Sequence, residues 1–324
     1  MFRYLVFRLL QAVPTLIGVT FLSFVVIKLA PGDYLDQLRL NPQVSPETIE
    51  RLKKLYGLDE PLLVQYLKWL KNALTFDFGY SFQYHAPVRD LILERIPNTL
   101  LLSVSSALFA WGLALPLGTL AAFKEDSWLD RAIRAFSYAF MSVPSFFLAF
   151  LLLFFAAKTG LLPVGGMRSP EYEALPFTGK LLDTLKHLVV PVLALGLVSL
   201  AGLTRLVRSA VLEILKSPMV TMLRAKGVPE RVVVKHVLKN ALNPFITLLG
   251  YEIAGLISGS ALIEIIVGWP GMGTLMLNAV LSQDLFLVMG GLFVGTIMLI
   301  LGNLIADLLL AYVDPRVRER ELGA

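Results

Sequence analysis

Residues 204–244, TRLVRSAVLEILKSPMVTMLRAKGVPERVVVKHVLKNALNP, are the one long, strongly basic interval between apolar segments of this chain. Ser217-Pro218 reads as an N-cap followed by proline at the first helical position, where its missing N–H is not needed. Gly227 reads as the end of that helix, because glycine reaches the left-handed backbone that helix C-termini commonly use. Pro229 and Glu230 then open a second helix that runs to about Leu242. The interval is a short helix, a tight turn and another helix leading into an apolar run. By i, i+3, i+4 spacing, Met219, Met222, Leu223 and Lys226 share one face of the short helix. A methionine-rich face edged by Arg224 and Lys226 suits docking into a groove of another protein.

The rest of the chain is greasy. Hydrophobic residues make up 56% and charged residues 16% of its 324 positions, with mean hydropathy +0.71. A soluble domain averages roughly 25% charged, so the composition implies a polytopic membrane protein. There is no cysteine, which excludes disulfides and thiolate metal sites. The net charge of +5 does not point to nucleic acid, because the basic residues sit beside apolar runs, as membrane topology requires.

Arg3 and Arg8 precede an apolar run from about Leu9 to Ala30. A signal peptide starts similarly, but this run is long enough to span, and Pro31-Gly32-Asp33 follows it in place of a small-x-small cleavage site. An uncleaved first span is expected. Residues 31–97 are polar enough to face water. Ser45-Pro46-Glu47 opens a helix there that ends near Gly57. Asp59-Glu60-Pro61 opens another, with Leu63, Tyr66, Leu67, Leu70 and Leu74 on one side. Further apolar runs at about 98–123, 135–157, 188–203, 245–267 and 285–312 bring the expected spans to six. The fourth is short and is expected to continue as helix into the basic interval. Pro116, Pro144 and Pro191 lie within these spans, where membrane helices tolerate proline. The domains expected are therefore 1–30, a helical extracytoplasmic subdomain at 31–97, a membrane core at 98–312 and a tail at 313–324.

Charge bias sets the orientation. With both termini in the cytoplasm, the inner side carries Arg3, Arg8, Lys124, Arg131, Arg134, the basic interval and Arg316, Arg318 and Arg320. The outer side carries eight Lys/Arg over 31–97, a segment too long to weigh much, four over 158–186 and none over 268–284, so the bias is clear only among the short loops. The segment 268–284 holds Gly268-Trp269-Pro270-Gly271, expected to be a rigid turn with an interfacial Trp.

Few residues invite chemistry. There is no G-x-x-x-x-G-K-[ST], so ATP is not bound through a P-loop, and no H-E-x-x-H or G-x-S-x-G occurs. His85, His187 and His236 are far apart and offer no metal set. Asp307, one turn after Asn303, suits a helix-packing hydrogen bond. Glu252 and Glu264 in the fifth span are candidates for a translocation path, since a carboxylate at membrane depth normally faces an interior or an aqueous route. Gly255 and Gly259 beside them permit close helix approach. Glu264 lies near the outer interface, and Glu252 could equally pair with a residue of the basic interval.

The segment RAKGVPERVVVKHVLKNALNP resembles the cytoplasmic EAA loop of ABC-importer permeases, in its dipeptide/oligopeptide branch. The broader pattern is degenerate: Thr221, Met222 and Leu223 stand where Glu-Ala-Ala is usual, Gly227 is kept, and the proline comes late. APGD, YGLDEPLLVQYLKWLKNAL, FDFGYSF, RIPNTLLLS, ALIEIIVGWPGMGTL and DLLLAYVDPRVR extend the resemblance from one end of the chain to the other.

The resemblance implies an all-α membrane protein with the six transmembrane helices of the type I ABC importer permease fold. It also implies a prokaryotic inner-membrane location and no enzymatic activity in this chain. The partners implied are a second permease, two ABC ATPases that bind ATP and Mg, and an extracytoplasmic solute-binding protein. ATPase coupling would fall to Met219, Thr221, Met222, Leu223, Arg224, Ala225, Lys226 and Gly227. Members of the branch carry peptides, and close relatives carry nickel chelates, glutathione or oligosaccharides. A self-sufficient secondary transporter is the competing expectation; it would show internal repeats and midplane charges, and no obvious repeat is present.

Overall fold

The computed structural model describes residues 2–30, 32, 34–39, 44–241, 245 and 260–313. In chain order the helices are α1 (Phe2–Leu29), α2 (Tyr34–Arg39), α3 (Pro46–Leu55), α4 (Leu62–Ala73), α5 (Val88–Phe123), α6 (Trp128–Met141), α7 (Ser145–Thr159), α8 (Phe177–Leu215), α9 (Pro218–Ala225), α10 (230–241), α11 (Ala261–Val267), α12 (Met272–Leu281) and α13 (Leu285–Val313). Two-residue strands β1 (Tyr80–Ser81) and β2 (Ala86–Pro87) form an antiparallel hairpin just before α5. Among the described residues four helices are long and apolar enough to cross a membrane, or up to six if each of two bent pairs is one span. The chain divides into two compact units, 1–98 with 271–301 and 99–270 with 302–324.

In the first unit, Ser45 caps α3 by accepting the Thr48 N–H at 3.2 Å, and Pro46 takes the first helical position. The inward face of α4 is only partly the side expected from spacing, of which Tyr66 and Leu70 face the core. Leu63, Leu67 and Leu74 are exposed, whereas Tyr66, Trp69 and Ala73 are buried with Leu62 and Leu70 packed beside them. Both stripes have helical spacing, and hydrogen bonding separates them. Tyr66 Oη sits 2.9 Å from Thr20 Oγ1 and donates to Ile17 O at 3.2 Å, while Trp69 Nε1 donates to Phe78 O at 3.3 Å. Aromatic residues with a polar tip win a buried position when that tip finds a partner. Thr20 lies nine residues inside the end of α1, about 13 Å along its axis, so α4 packs beside the first apolar helix rather than beyond its end.

Asp284 closes this unit. Its Oδ1 accepts the Leu287 N–H at 3.2 Å, capping α13, and its Oδ2 accepts Ser81 Oγ at 2.6 Å and the Gln83 N–H at 3.0 Å. A fully buried carboxylate thus ties the hairpin to the start of α13. Burial of such a group is tolerable because both of its oxygens accept hydrogen bonds.

In the second unit the expected third span is not one helix. α6 and α7 meet at 98° across Ser142-Val143-Pro144. Ser142 Oγ donates back to Tyr138 O at 2.8 Å. Pro144 pushes the preceding residue out of helical backbone and starts α7 instead of sitting inside it. Pro116 and Pro191, by contrast, lie within the continuous helices α5 and α8. Helix α8 extends beyond the expected 188–203 at both ends. Its 39 residues make about 58 Å, nearly twice the ~30 Å hydrocarbon thickness, so its charged C-terminal turns project past an apolar layer. α5 packs against it closely enough that a Cβ on Gly118 would stand 2.6 Å from Val207 Cβ and 2.7 Å from Thr204 O. Most of the expected fifth span, 246–259, lies outside the described residues; α11 is its last two turns.

Candidate functional site

The basic interval folds as a helix–turn–helix on the end of α8. Only Lys216 and Ser217 separate α8 from α9. Ser217 has the extended backbone of an N-cap, but its hydroxyl donates to Ile214 O at 2.6 Å instead of accepting from α9. It therefore fastens the joint to α8. Pro218 occupies the first position of α9, as its fixed φ favours.

The turn that ends α9 is a Schellman motif. Val228 N–H donates to Leu223 O at 3.1 Å and Gly227 N–H to Arg224 O at 3.0 Å, with Gly227 at φ +72°. Nothing lies within 4 Å of where a Gly227 Cβ would be, so backbone conformation alone demands glycine. Arg224 and Glu230 brace the turn from outside, Nη2 to Oε1 at 2.6 Å and Nε to Oε2 at 3.3 Å. The guanidinium holds the Glu230 carboxyl below its usual range, and the same contact raises Arg224.

The face that points outward differs from the one spacing suggested. Met219 and Leu223 are half-buried against a core of Ala122, Val207, Val211, Val220, Val233 and Val237, and Val220 is fully buried. They anchor α9 to its own chain. Thr221, Met222, Arg224, Ala225, Lys226 and Gly227 are exposed, with Met222 at 49%. The correction has a simple cause: an eight-residue helix must be seated by some of its apolar side chains before it can present others.

At the far end of the unit, α11 stops in the same kind of turn. Trp269 N–H donates to Glu264 O at 2.8 Å and Gly268 N–H to Ile265 O at 3.3 Å, with Gly268 at φ +71°. Here Gly268 is exposed, but Ile263, Glu264, Val267 and Trp269 around it are buried. Trp269 is fully buried against Leu102 and Leu188, with Met167, Val192 and Leu195 around them. The expected interfacial Trp is a core residue, because the loop 160–176 folds over it. Gly166 N–H donates to Val267 O at 2.8 Å, and Gly165, at φ +110°, passes so close that a Cβ would meet Val267 O at 2.5 Å. Glu264 is fully buried and accepts Ser260 Oγ at 3.1 Å.

Over residues 114–319 the chain matches the family described as binding-protein-dependent transport system inner membrane component, and residues 1–103 match its N-terminal region. The chain belongs to that family. It is 38% identical over 320 residues to the oligopeptide transport system permease protein AppB of Bacillus subtilis (strain 168), covering 98% of this chain and 99% of that one. It is 34% identical over 333 residues to the dipeptide transport system permease protein DppB of Alkalihalophilus pseudofirmus, covering 98% and 100%. The di/tripeptide transport system permease protein DppB of Pseudomonas aeruginosa (strain UCBPP-PA14) is 35% identical over 339 residues, covering 99% and 100%.

Glu264, the other candidate for the path, is buried within its own chain and bonded to Ser260. Glu252, Gly255 and Gly259 lie outside the described residues. Pro270 and Gly271 follow the buried Trp269, and Gly271 occupies the position before α12 in extended backbone. Asn303 is exposed on α13.

Sequence reading missed a two-bond ion pair in the unit. Asp130, fully buried on α6, receives Arg208 of α8 as a fork, Nε to Oδ1 at 2.6 Å and Nη2 to Oδ2 at 2.8 Å. The signal available was Ser127-x-x-Asp130, a capping pattern. Ser127 Oγ does accept the Asp130 N–H, at 3.3 Å. The glycine pair Gly165-Gly166 was likewise a visible sign of close backbone approach.

Proposed function

We propose that this chain is the permease subunit of an ATP-driven importer of di- or oligopeptides. The observation that carries the reading is the α9–Gly227–α10 turn: a small helix seated by Val220, Met219 and Leu223, offering Thr221, Met222, Ala225 and Lys226 to solvent. On a chain whose relatives are named peptide permeases, such a knob is where an ATPase would engage. With no P-loop in the sequence, hydrolysis belongs to two partner ATPases binding ATP and Mg. A second permease completes the path, and a solute-binding protein delivers cargo from the other side. Six spans with both termini in the cytoplasm agree with the charge bias. Alternating access between the two permeases then moves the released solute.

The test is uptake of labelled trialanine into proteoliposomes holding the whole complex. Uptake should need ATP on the side of α9 and binding protein on the other. Equal uptake by the two permeases without ATPases would sink the reading. So would stimulation by binding protein loaded with an oligosaccharide, nickel chelate or glutathione but never by peptide-loaded protein. Because the chain has no cysteine, topology is tested by single substitutions. Lys226→Cys should be shielded from an impermeant thiol reagent in intact cells and Lys71→Cys should react; the reverse would invert the orientation.

A further inference from the structure

The end of α8 is held at two points by the turn between α5 and α6. Arg208 forks onto Asp130 as described, and Asp130 Oδ2 also accepts the Asp126 N–H at 3.0 Å. Arg134 Nε stands 3.5 Å from the same oxygen. Eight residues further along α8, Lys216 Nζ reaches Glu125 Oε1 at 2.6 Å. Lys216 is the residue at which α8 gives way to the α9 joint. The core beneath is shared, since Ala122 of α5, Val207 and Val211 of α8, Val220 of α9 and Val233 of α10 pack in one cluster.

Apolar contact of that kind is non-directional and does not by itself fix how far one helix has slid along another. A planar guanidinium on a carboxylate does, because both bonds are lost on a small shift. The other buried polar side chains of α6 and α8 give no such hold between the two: His187 bonds within α8, to Asp183. Ser137 Oγ on α6 and Thr204 Oγ1 on α8 are buried without a hydrogen-bond partner. Asp130 is fully buried and the Arg208 side chain 17% exposed. An ion pair taken this far out of water is poor value as a source of stability, and register is the best attested role for one.

We propose that Asp130 and Arg208 are positioning residues for energy coupling. They lock the α5–α6 turn, the end of α8 and α9 into one body, so that a displacement of α9 is passed to the membrane helices without slippage. The proposal rests on α9 being the ATPase contact argued above. Neither residue touches solute or nucleotide. The pair acts through the α8–α9 joint.

The test uses the complete transporter in proteoliposomes, with binding protein loaded from a mixture of alanine tri- to pentapeptides. Three quantities are read: assembly, ATP hydrolysis with and without loaded binding protein, and peptide taken up per ATP hydrolysed. Arg208→Lys keeps the charge but loses the planar fork. It should assemble and hydrolyse ATP normally without binding protein, yet lose stimulation and uptake per ATP by about five-fold or more, the range of a typical coupling free energy. Asp130→Leu with Arg208→Met replaces the pair by apolar groups, a change that buried ion pairs often survive. This double variant should assemble and show the same uncoupling.

If assembled Arg208→Lys keeps the wild-type ratio of uptake to hydrolysis, the proposal is overturned, whatever happens to thermal stability. Should the double variant fail to assemble, Arg208→Lys decides alone. Gly227→Val separates this inference from the reading beneath it. If Gly227→Val leaves stimulation and ATPase binding untouched, α9 is not the contact and both fall. If Gly227→Val uncouples and Arg208→Lys does not, only the positioning role fails.

Discussion

Two helices of the second unit end in the same hydrogen-bonded turn with opposite surroundings. After α9, Val228 and Gly227 donate to Leu223 O and Arg224 O; after α11, Trp269 and Gly268 donate to Glu264 O and Ile265 O. Both glycines hold φ near +70°. The first turn stands in solvent with open space at its glycine, and the second is roofed by Gly165-Gly166 and plugged by Trp269. Identical backbone chemistry therefore serves a presented element in one place and a sealed joint in the other. What differs is side-chain burial, and that difference predicts which substitutions unfold the protein and which only disconnect it.

The largest effect belongs to the sealed turn. Trp269→Ala removes a fully buried indole and should destabilise by about 3–5 kcal/mol, seen as loss of monodisperse protein and a lower thermal midpoint in detergent. Met222→Ala at the open turn should leave that midpoint unchanged. A Trp269→Ala protein as stable as wild type would break the contrast.

Glu264→Ala comes next. Its carboxylate accepts Ser260 Oγ inside the cap, and leaving such a buried partner unpaired is worth about 1–3 kcal/mol. Stability should fall while uptake per folded complex stays at the wild-type level. An unchanged midpoint with altered solute preference would assign Glu264 to the path.

Gly227→Val carries a similar cost, confined to its turn. With nothing near the new side chain, the only penalty is a β-branched residue at positive φ, about 1–3 kcal/mol and local to the turn. The complex should assemble and lose binding-protein-stimulated hydrolysis. Gly227→Asn, which tolerates the left-handed region better, should keep more. Wild-type stimulation in the valine variant would mean that the open turn is not presented to anything.

The open turn was largely readable in the sequence and the sealed one was not, for a physical reason. Ser217-Pro218, Gly227 and Pro229 are local signals, and local backbone rules act through neighbours in the chain. That Met219 and Leu223 would face inward depended on Val233 and Val237 arriving from α10, which periodicity in α9 alone does not encode. The same holds for α4, where two helical stripes competed and the bonds of Tyr66 and Trp69 to distant residues decided. Gly268 was legible as a turn glycine. The burial of Trp269 was not, because its cover comes from residues a hundred positions away. Pro144 was visible, but whether a proline breaks a span or rides inside one depends on the bonds around it. Ser142 and Pro144 broke this one, whereas Pro191 left α8 whole. The capping pattern at Ser127 marked Asp130, but its pairing with Arg208 lay beyond sequence reading, since seventy-eight residues separate the two.

The smallest expected effect sharpens the comparison most. The open turn carries an external brace, Arg224 on Glu230, joining the last turn of α9 to the first turn of α10. Each charge also sits at the helix end that favours it. Because Arg224 lowers the Glu230 pKa, the brace is fully present above the ordinary carboxylate range, near pH 4.3. It is lost as pH falls through the lowered value. Both side chains are about half exposed, so solvent screening keeps the contribution small. Global stability should not register it. Amide exchange at Val228, whose N–H closes the turn, should do so when wild type and Glu230→Gln are compared at the same pH. Wild type should be the more protected at neutral pH, and the two should converge in acid. Trp269 N–H, in the sealed turn, should exchange alike in both proteins at every pH. If the Val228 difference persists below the carboxylate range, the brace is not its source. The open turn would then be held, like the sealed one, by packing alone.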